Sequence, residues 1–172
     1  MGIISIGNLE TLAASGNADA NYELGLRYYK GIGVGVNYKK AKTFFEEAVK
    51  QGCSAGSYYL GIMHYNGKGT PTNHVKAKEY FEKSDAENNI FSSFYLGKLY
   101  YWGDGVEKNY EKANEYKNKV LGKPFFGKQD IEINNFYSVE DFESTSREYA
   151  SNLQKKVQSE FSSLFGNDIR KI

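Results

Sequence analysis

Residues 24–33 read LGLRYYKGIG, and this stretch recurs twice with few changes. It returns as LGIMHYNGKG at residues 60–69 and as LGKLYYWGDG at residues 96–105, so that each step is 36 residues. A fixed period of this length is the sequence signature of stacked structural repeats. The sequence therefore predicts three copies of one unit, and the other features of the chain are interpreted in that register.

The register extends beyond this stretch through two predicted helices in each copy, which we name helix A and helix B. Glycines at positive φ end helix A at low steric cost. Asparagine is a good N-cap for helix B, which carries an apolar stripe with helical spacing. The matching sets are Gly31, Gly67 and Gly103; Asn37, Asn73 and Asn109; Lys40-Ala41, Lys76-Ala77 and Lys112-Ala113; and Phe44, Tyr80 and Tyr116.

This register divides the chain into three regions. Residues 9–16 align with residues 45–52, so we expect an N-terminal capping helix within residues 1–17. We expect residues 123–172 to form a connector and a C-terminal capping helix. The region between them, 18–122, holds the three repeats, at about 18–53, 54–89 and 90–122.

The spacing of apolar residues in the C-terminal region predicts a long amphipathic helix. It begins at Ser138, with Asp141 in a capping arrangement, and ends before Gly166. We expect it to cover the exposed apolar end of the third repeat, since solenoids need such caps for solubility. The alternatives are docking in the concave groove of the array, pairing with a second copy, or gripping a partner. The stripe runs through Val139, Phe142, Ser146, Tyr149, Leu153, Val157, Phe161 and Leu164.

The pattern Ala-x3-Leu-Gly-x2-Tyr-x2-Gly-x-Gly, followed by Asn-x2-Lys-Ala-x2-Phe-Phe-x2-Ala, resembles the Sel1-like repeat, a relative of the tetratricopeptide repeat. The resemblance covers residues 8–122. It implies an all-α fold, a right-handed α-solenoid of helix–turn–helix repeats with helix A on its concave face, and a role in assembling protein complexes. The third copy departs at Lys117, where the others have Phe45 and Phe81. An ammonium group suits a position on which no fourth repeat packs.

One face of helix A is strongly aromatic. Leu24 and Tyr28 point toward helix B, whereas positions 22, 26 and 29 lie on nearly the opposite side. By analogy with tetratricopeptide proteins, this second face lines the concave groove. Aromatic side chains are enriched at binding hot spots, which favours a groove that takes a partner. The alternative is that the rings pack between neighbouring A helices or under the C-terminal segment. We define the aromatic groove as Tyr22, Leu26, Tyr29, Tyr58, Ile62, Tyr65, Phe94, Tyr101 and Trp102.

Composition argues against several other classes of protein. The net charge is +1 and the pI about 7.7, too weak a field to indicate nucleic acid or anionic lipid. A single cysteine, Cys53, cannot form an internal disulfide. The first residues show no signal-peptide pattern, and no run of 18 apolar residues suggests a membrane span. The sequence therefore predicts a cytoplasmic protein.

Motifs for catalysis or metal binding are weak. The Gly-x-Gly-x-Gly run at residues 31–35 follows a helix and lacks the Gly-Lys-Ser/Thr ending of a phosphate loop. His64 replaces Tyr28 and Tyr100, so we expect a ring facing the core, while His74 is expected to be exposed. Together with Cys53 they show no ligand spacing for a metal. No cofactor, metal or enzymatic activity is expected.

The leading hypothesis is a protein-binding scaffold without catalysis. A narrower form is a bacterial immunity or antitoxin protein that neutralises a toxin, which the small size and the Lys, Asn and Tyr richness favour. Single-stranded nucleic acid could stack in the aromatic groove, but the accompanying basic residues are few. The sequence leaves a homodimer open and does not identify the partner.

Overall fold

The computed structural model describes residues 5–122, and every regular element in that range is an α-helix. The all-α repeat class is thereby confirmed. α1 stands alone, and the three pairs that follow are the A and B helices of the repeats. The predicted connector and C-terminal helix lie outside the described residues. The helices are α1 (Ile6–Ala14), α2 (Ala18–Lys30), α3 (Tyr38–Lys50), α4 (Ala55–Asn66), α5 (His74–Ala86), α6 (Ile90–Trp102) and α7 (Tyr110–Val120).

The helices end where the sequence predicts. The side chains of Asn37, Asn73 and Asn109 each accept a hydrogen bond from the backbone N–H three residues later, at 2.9 to 3.0 Å. Each of these bonds satisfies one of the donors left open at a helix start. Each helix A ends at a glycine with φ between 69° and 78°. The A–B turn is therefore nearly the same in all three repeats.

A stacked ring pair joins helix A to helix B in every repeat. The ring centroids lie 5.6 to 6.0 Å apart and the planes are within 11° of parallel. Leucines beside these pairs, one in each helix A, are fully buried. This is the side of helix A that the sequence predicted to face helix B. The pairs are Tyr28–Phe44, His64–Tyr80 and Tyr100–Tyr116.

A second ring stack joins each repeat to the next. Phe45 of repeat 1 stacks on Tyr59 of repeat 2, and Phe81 of repeat 2 stacks on Tyr95 of repeat 3, both at 5.0 Å between centroids. The same phenylalanines explain the Leu-Gly pairs. A Cβ on Gly61 would lie 2.5 Å from the Phe81 ring, and one on the equivalent glycine of repeat 1 would be 2.6 Å from Phe45. Glycine therefore lets the ring pack directly on the backbone of helix A.

Lys117 takes the position of the phenylalanines of the first two repeats. It is buried, with 6% of the residue exposed. The four-carbon stem of lysine is apolar and can fill space that an aromatic ring fills elsewhere.

The A helices line the inner side of the array. α2 contacts α4, and α4 contacts α6, whereas α3 and α5 make no comparable contact within the described residues. Helices that approach one another across successive repeats lie on the inside of a curved stack. The face carrying the aromatic groove therefore lies on the helices that the resemblance assigned to the concave side.

Two adjacent serines at the start of α6 give a matched test of buried polar groups. The Oγ of Ser92 is buried without a hydrogen-bond partner, and the equivalent residue of repeat 1 is Ala20. The Oγ of Ser93 donates a hydrogen bond to Asp85. We expect Ser92→Ala to leave the free energy of unfolding unchanged or raise it by about 1 kcal/mol, because a desolvated hydroxyl is removed.

Ser93→Ala is expected to lower the free energy of unfolding by about 1–3 kcal/mol, since the Asp85 carboxylate loses the hydroxyl donor of Ser93. Urea denaturation of both variants measures the two changes. Equal losses in the two variants would contradict this assignment.

Candidate functional site

The structure places the nine residues of the aromatic groove at three levels of exposure. Tyr58, Ile62, Phe94 and Tyr101 are buried, each with less than 9% of its surface exposed. Trp102 is exposed at 48% and lies edge-on against Tyr101, at 4.8 Å between ring centroids. The buried members are held by packing. The members that keep accessible surface are Trp102 and the half-buried Tyr22, Leu26, Tyr29 and Tyr65.

The rings form one continuous network across the three A helices. From α2, Tyr22 contacts Tyr59 at 6.1 Å between centroids, and Tyr59 contacts Tyr58 at 5.2 Å. From α4, Tyr58 contacts Tyr95 at 6.4 Å, and Tyr95 contacts Phe94 at 5.6 Å. Tilted and edge-on pairs at these distances are favourable. The groove rings therefore also hold neighbouring A helices together.

Two central members of this network, Tyr59 and Tyr95, were missed by the sequence analysis. Each stacks on a phenylalanine of the preceding repeat and also contacts rings of the groove. The available signal was their own 36-residue spacing. It is weak because the first copy has Glu23 at this position, where no earlier repeat supplies a phenylalanine. Glu23 instead pairs with Arg27 at 2.9 Å.

A ring near the C-terminus of each helix A contacts the first residue of helix B. His74 is half-buried and not exposed as expected. Its imidazole lies 5.1 Å from the Tyr65 ring, and the turn of repeat 3 packs against it, since a Cβ on Gly105 would lie 2.8 Å from the His74 Cβ. The equivalent pairs are Tyr29–Tyr38 and Tyr101–Tyr110, both at 5.4 Å.

The charged groups of the aromatic groove are lysine ammonium groups that lie over tyrosine rings. Burial, with Asp104 nearby, raises the pKa of Tyr65 to about 12, and burial also raises the pKa of Tyr22. Both phenols therefore remain protonated and keep a hydrogen-bond donor at neutral pH. The ammonium of Lys68 lies 5.1 Å from the Tyr29 ring centroid, and that of Lys98 lies 5.8 Å from the Tyr65 centroid. These contacts have cation–π geometry.

No group of three His, Cys, Asp or Glu side chains among residues 5–122 is arranged to hold a metal ion. Cys53 lies half-buried between α3 and α4. His64 is buried against α5, as the sequence predicted. Among the described helices, none is long and apolar enough to cross a membrane.

The family model described as the Sel1 repeat matches residues 18–53, 54–84 and 91–116, together more than half of the chain. The chain belongs to the Sel1 repeat family. The matched segments coincide with the three helix pairs of the structure. Sel1 repeat proteins are generally protein–protein interaction scaffolds. No curated protein sequence gives a significant match.

Solved Sel1 repeat structures are similar to this chain. A protective antigen of uropathogenic Escherichia coli, which displays an SLR fold, is 27% identical over 70% of this chain and 26% of its own, with a TM-score of 0.66. A Sel1 repeat protein from Oxalobacter formigenes is 28% identical over 68% of this chain and 48% of its own, with a TM-score of 0.62. This Sel1 chain thus spans about a quarter and about half of their lengths.

Helicobacter pylori cysteine rich protein B is more distant, at 22% identity and a TM-score of 0.52 over 71% of this chain and 92% of its own. This likeness shows the shared helical repeat fold. With the two closer structures, it agrees with the placement of this Sel1 chain among helical repeat arrays.

Proposed function

We propose that the protein is a non-enzymatic scaffold that binds a protein partner through the aromatic groove. The observation that carries the proposal is the continuous ring network on the inner side of the array, with Trp102 exposed beside it. Membership of the Sel1 repeat family supports a protein as the ligand.

The aromatic groove combines buried residues with residues that keep accessible surface, and this combination suits partner binding. Tyr58, Ile62 and Phe94 are fixed by packing, so the groove loses little conformational freedom when a partner binds. Trp102 and Leu26 keep accessible apolar surface at opposite ends of the groove, in repeats 3 and 1. Large apolar side chains on a rigid base are typical of binding hot spots.

The charges of the groove favour a protein over a nucleic acid. The described face carries a few lysines set over phenol rings, such as Lys68 and Lys98, and no dense basic track. Binding to a polyanion through many lysines has a steep salt dependence. We expect the partner of this groove to bind mainly by packing and hydrogen bonding, with a shallow salt dependence.

Affinity capture from the organism that makes the protein tests the proposal. The groove variant is Leu26→Ala/Trp102→Ala. Its control is Leu12→Ala/Val75→Ala, which removes two exposed apolar side chains, at 42% and 53%, from α1 and from helix B of repeat 2. Tyr58 is left intact because its ring contacts four other rings and its loss would perturb the fold.

We expect one protein to be retained by the wild type and the control and lost by the groove variant. Retention by all three forms would place the binding surface elsewhere. Circular dichroism of each variant checks that its helical content is unchanged. Light scattering at the mass of two chains would identify a second copy as the partner.

A narrower form of the proposal is a cytoplasmic immunity or antitoxin protein whose partner is a toxin. Its support is the small size of the chain and its richness in Lys, Asn and Tyr. Co-expression with a toxin encoded next to it restores growth under this hypothesis, and the groove variant does not.

A further inference from the structure

His64 occupies in the middle repeat the position that Tyr28 and Tyr100 fill in the other two. Its imidazole stacks on Tyr80 at 5.6 Å between centroids and 9° between planes, and only 5% of the residue is exposed. The Nδ1 atom is buried without a hydrogen-bond partner. A neutral imidazole can leave this atom unprotonated. An imidazolium has two N–H donors and a positive charge to satisfy.

The groups around His64 oppose a positive charge. Lys42 and Glu46 belong to α3, and Lys76 and Tyr80 belong to α5, the two B helices packed against α4. Glu46, the one carboxylate among them, is paired with Lys42 at 2.6 Å. Burial, followed by the charges of Lys42 and Lys76, lowers the pKa of His64, and Glu46 offsets part of this effect.

We propose that His64 is a proton-sensitive joint in the middle of the array, at which protonation of the buried imidazole opens the stack between α4 and α5. The equivalent stacks of repeats 1 and 3 contain no histidine, so acid weakens the centre selectively. Opening at this point loosens α5 from α4 within repeat 2, while the ring contacts between α4 and α6 stay in place. The joint belongs to the fold and does not depend on the proposed partner.

The pH range follows from the direction of the shift. A histidine whose pKa is lower in the folded state stabilises the fold fully above its unfolded value, about 6.5. This stability is lost as the pH falls from that value toward the folded pKa, because the unfolded chain then binds more protons. The joint is therefore closed at pH 7.5 and weakened at pH 5.5.

Urea denaturation at pH 7.5 and 5.5 tests the joint on the full chain. His64→Tyr installs the residue of repeats 1 and 3, and His74→Tyr is the matched control, since Tyr38 and Tyr110 occupy its equivalent positions. Between the two pH values, we expect the unfolding equilibrium constant of the wild type and of the control to rise more than that of His64→Tyr, by about threefold to tenfold. Equal rises in all three proteins overturn the proposal.

A titration by NMR gives the same test without altering His64. The chain has two histidines, so His74→Tyr leaves His64 as the one imidazole signal. We expect its titration midpoint to lie below that of the same variant unfolded in urea. A midpoint equal to or above the unfolded value overturns the proposal, whatever the stability of His64→Tyr.

Discussion

Phe81→Ala is expected to lower the free energy of unfolding by about 3–5 kcal/mol, the cost of removing a fully buried aromatic ring. The side chain is 0% exposed, and its ring stacks on Tyr95 of the next repeat at 5.0 Å. The ring lies directly against Gly61, where a Cβ would be only 2.5 Å from it. The substitution therefore opens a cavity between repeats 2 and 3 that the backbone cannot readily fill. Urea denaturation followed by circular dichroism measures the loss.

Phe44→Ala is the control for this substitution. Phe44 is half-buried and stacks on Tyr28 within its own repeat. Less apolar area leaves water when this ring packs, so we expect a loss of about 1–2 kcal/mol. A loss in Phe81→Ala no larger than in Phe44→Ala would contradict the role given to the ring stack between repeats.

Gly69→Ala is expected to lower the free energy of unfolding by about 3 kcal/mol, through two separate costs. The residue has φ of +70°, which an alanine adopts at a cost of about 1–2 kcal/mol. A Cβ would also lie 2.7 Å from the backbone carbonyl carbon and oxygen of Tyr38 in the preceding repeat. Because that obstacle is backbone, relief requires the turn of repeat 2 to move away from α3. Urea denaturation measures the change.

Gly33→Ala separates the two costs. Gly33 is the equivalent glycine of repeat 1, with φ of +72°, and a Cβ there would meet nothing within 4 Å. We expect it to lose about 1–2 kcal/mol, the conformational part alone. Similar losses of unfolding free energy in Gly33→Ala and Gly69→Ala would contradict the close contact between the turn of repeat 2 and the backbone of Tyr38 in α3.

The repeat fold could be predicted because its local signals agree with one another. Asparagine caps, turn glycines and apolar stripes recur at one spacing, and each acts through nearby backbone. The Leu-Gly pair marks the repeat in the sequence but does not reveal why the glycine is needed. That reason, a phenylalanine ring lying on the glycine, is a contact between helices A and B that spacing alone does not reveal.

The candidate site was predicted less completely. Helical spacing separated the two faces of helix A, but Tyr59 and Tyr95 lie between those faces, and their partners belong to the preceding repeat. The degree of burial could not be predicted either. The spacing places Tyr58 and Tyr65 on the same face of helix A, but the structure buries Tyr58 more deeply than Tyr65. His74 was misjudged because the turn of the next repeat packs against it, and the spacing does not show that contact.

The affinity of the captured partner for three forms of the protein tests the central claim most directly. We predict that Leu26→Ala/Trp102→Ala raises the Kd at least about thirtyfold, because it removes a hot-spot tryptophan and an apolar neighbour of the groove. Leu12→Ala/Val75→Ala should stay within about threefold of the wild type, since neither side chain lies on an A helix. An unchanged Kd for the groove variant, or equal losses in the two variants, would contradict binding through the aromatic groove.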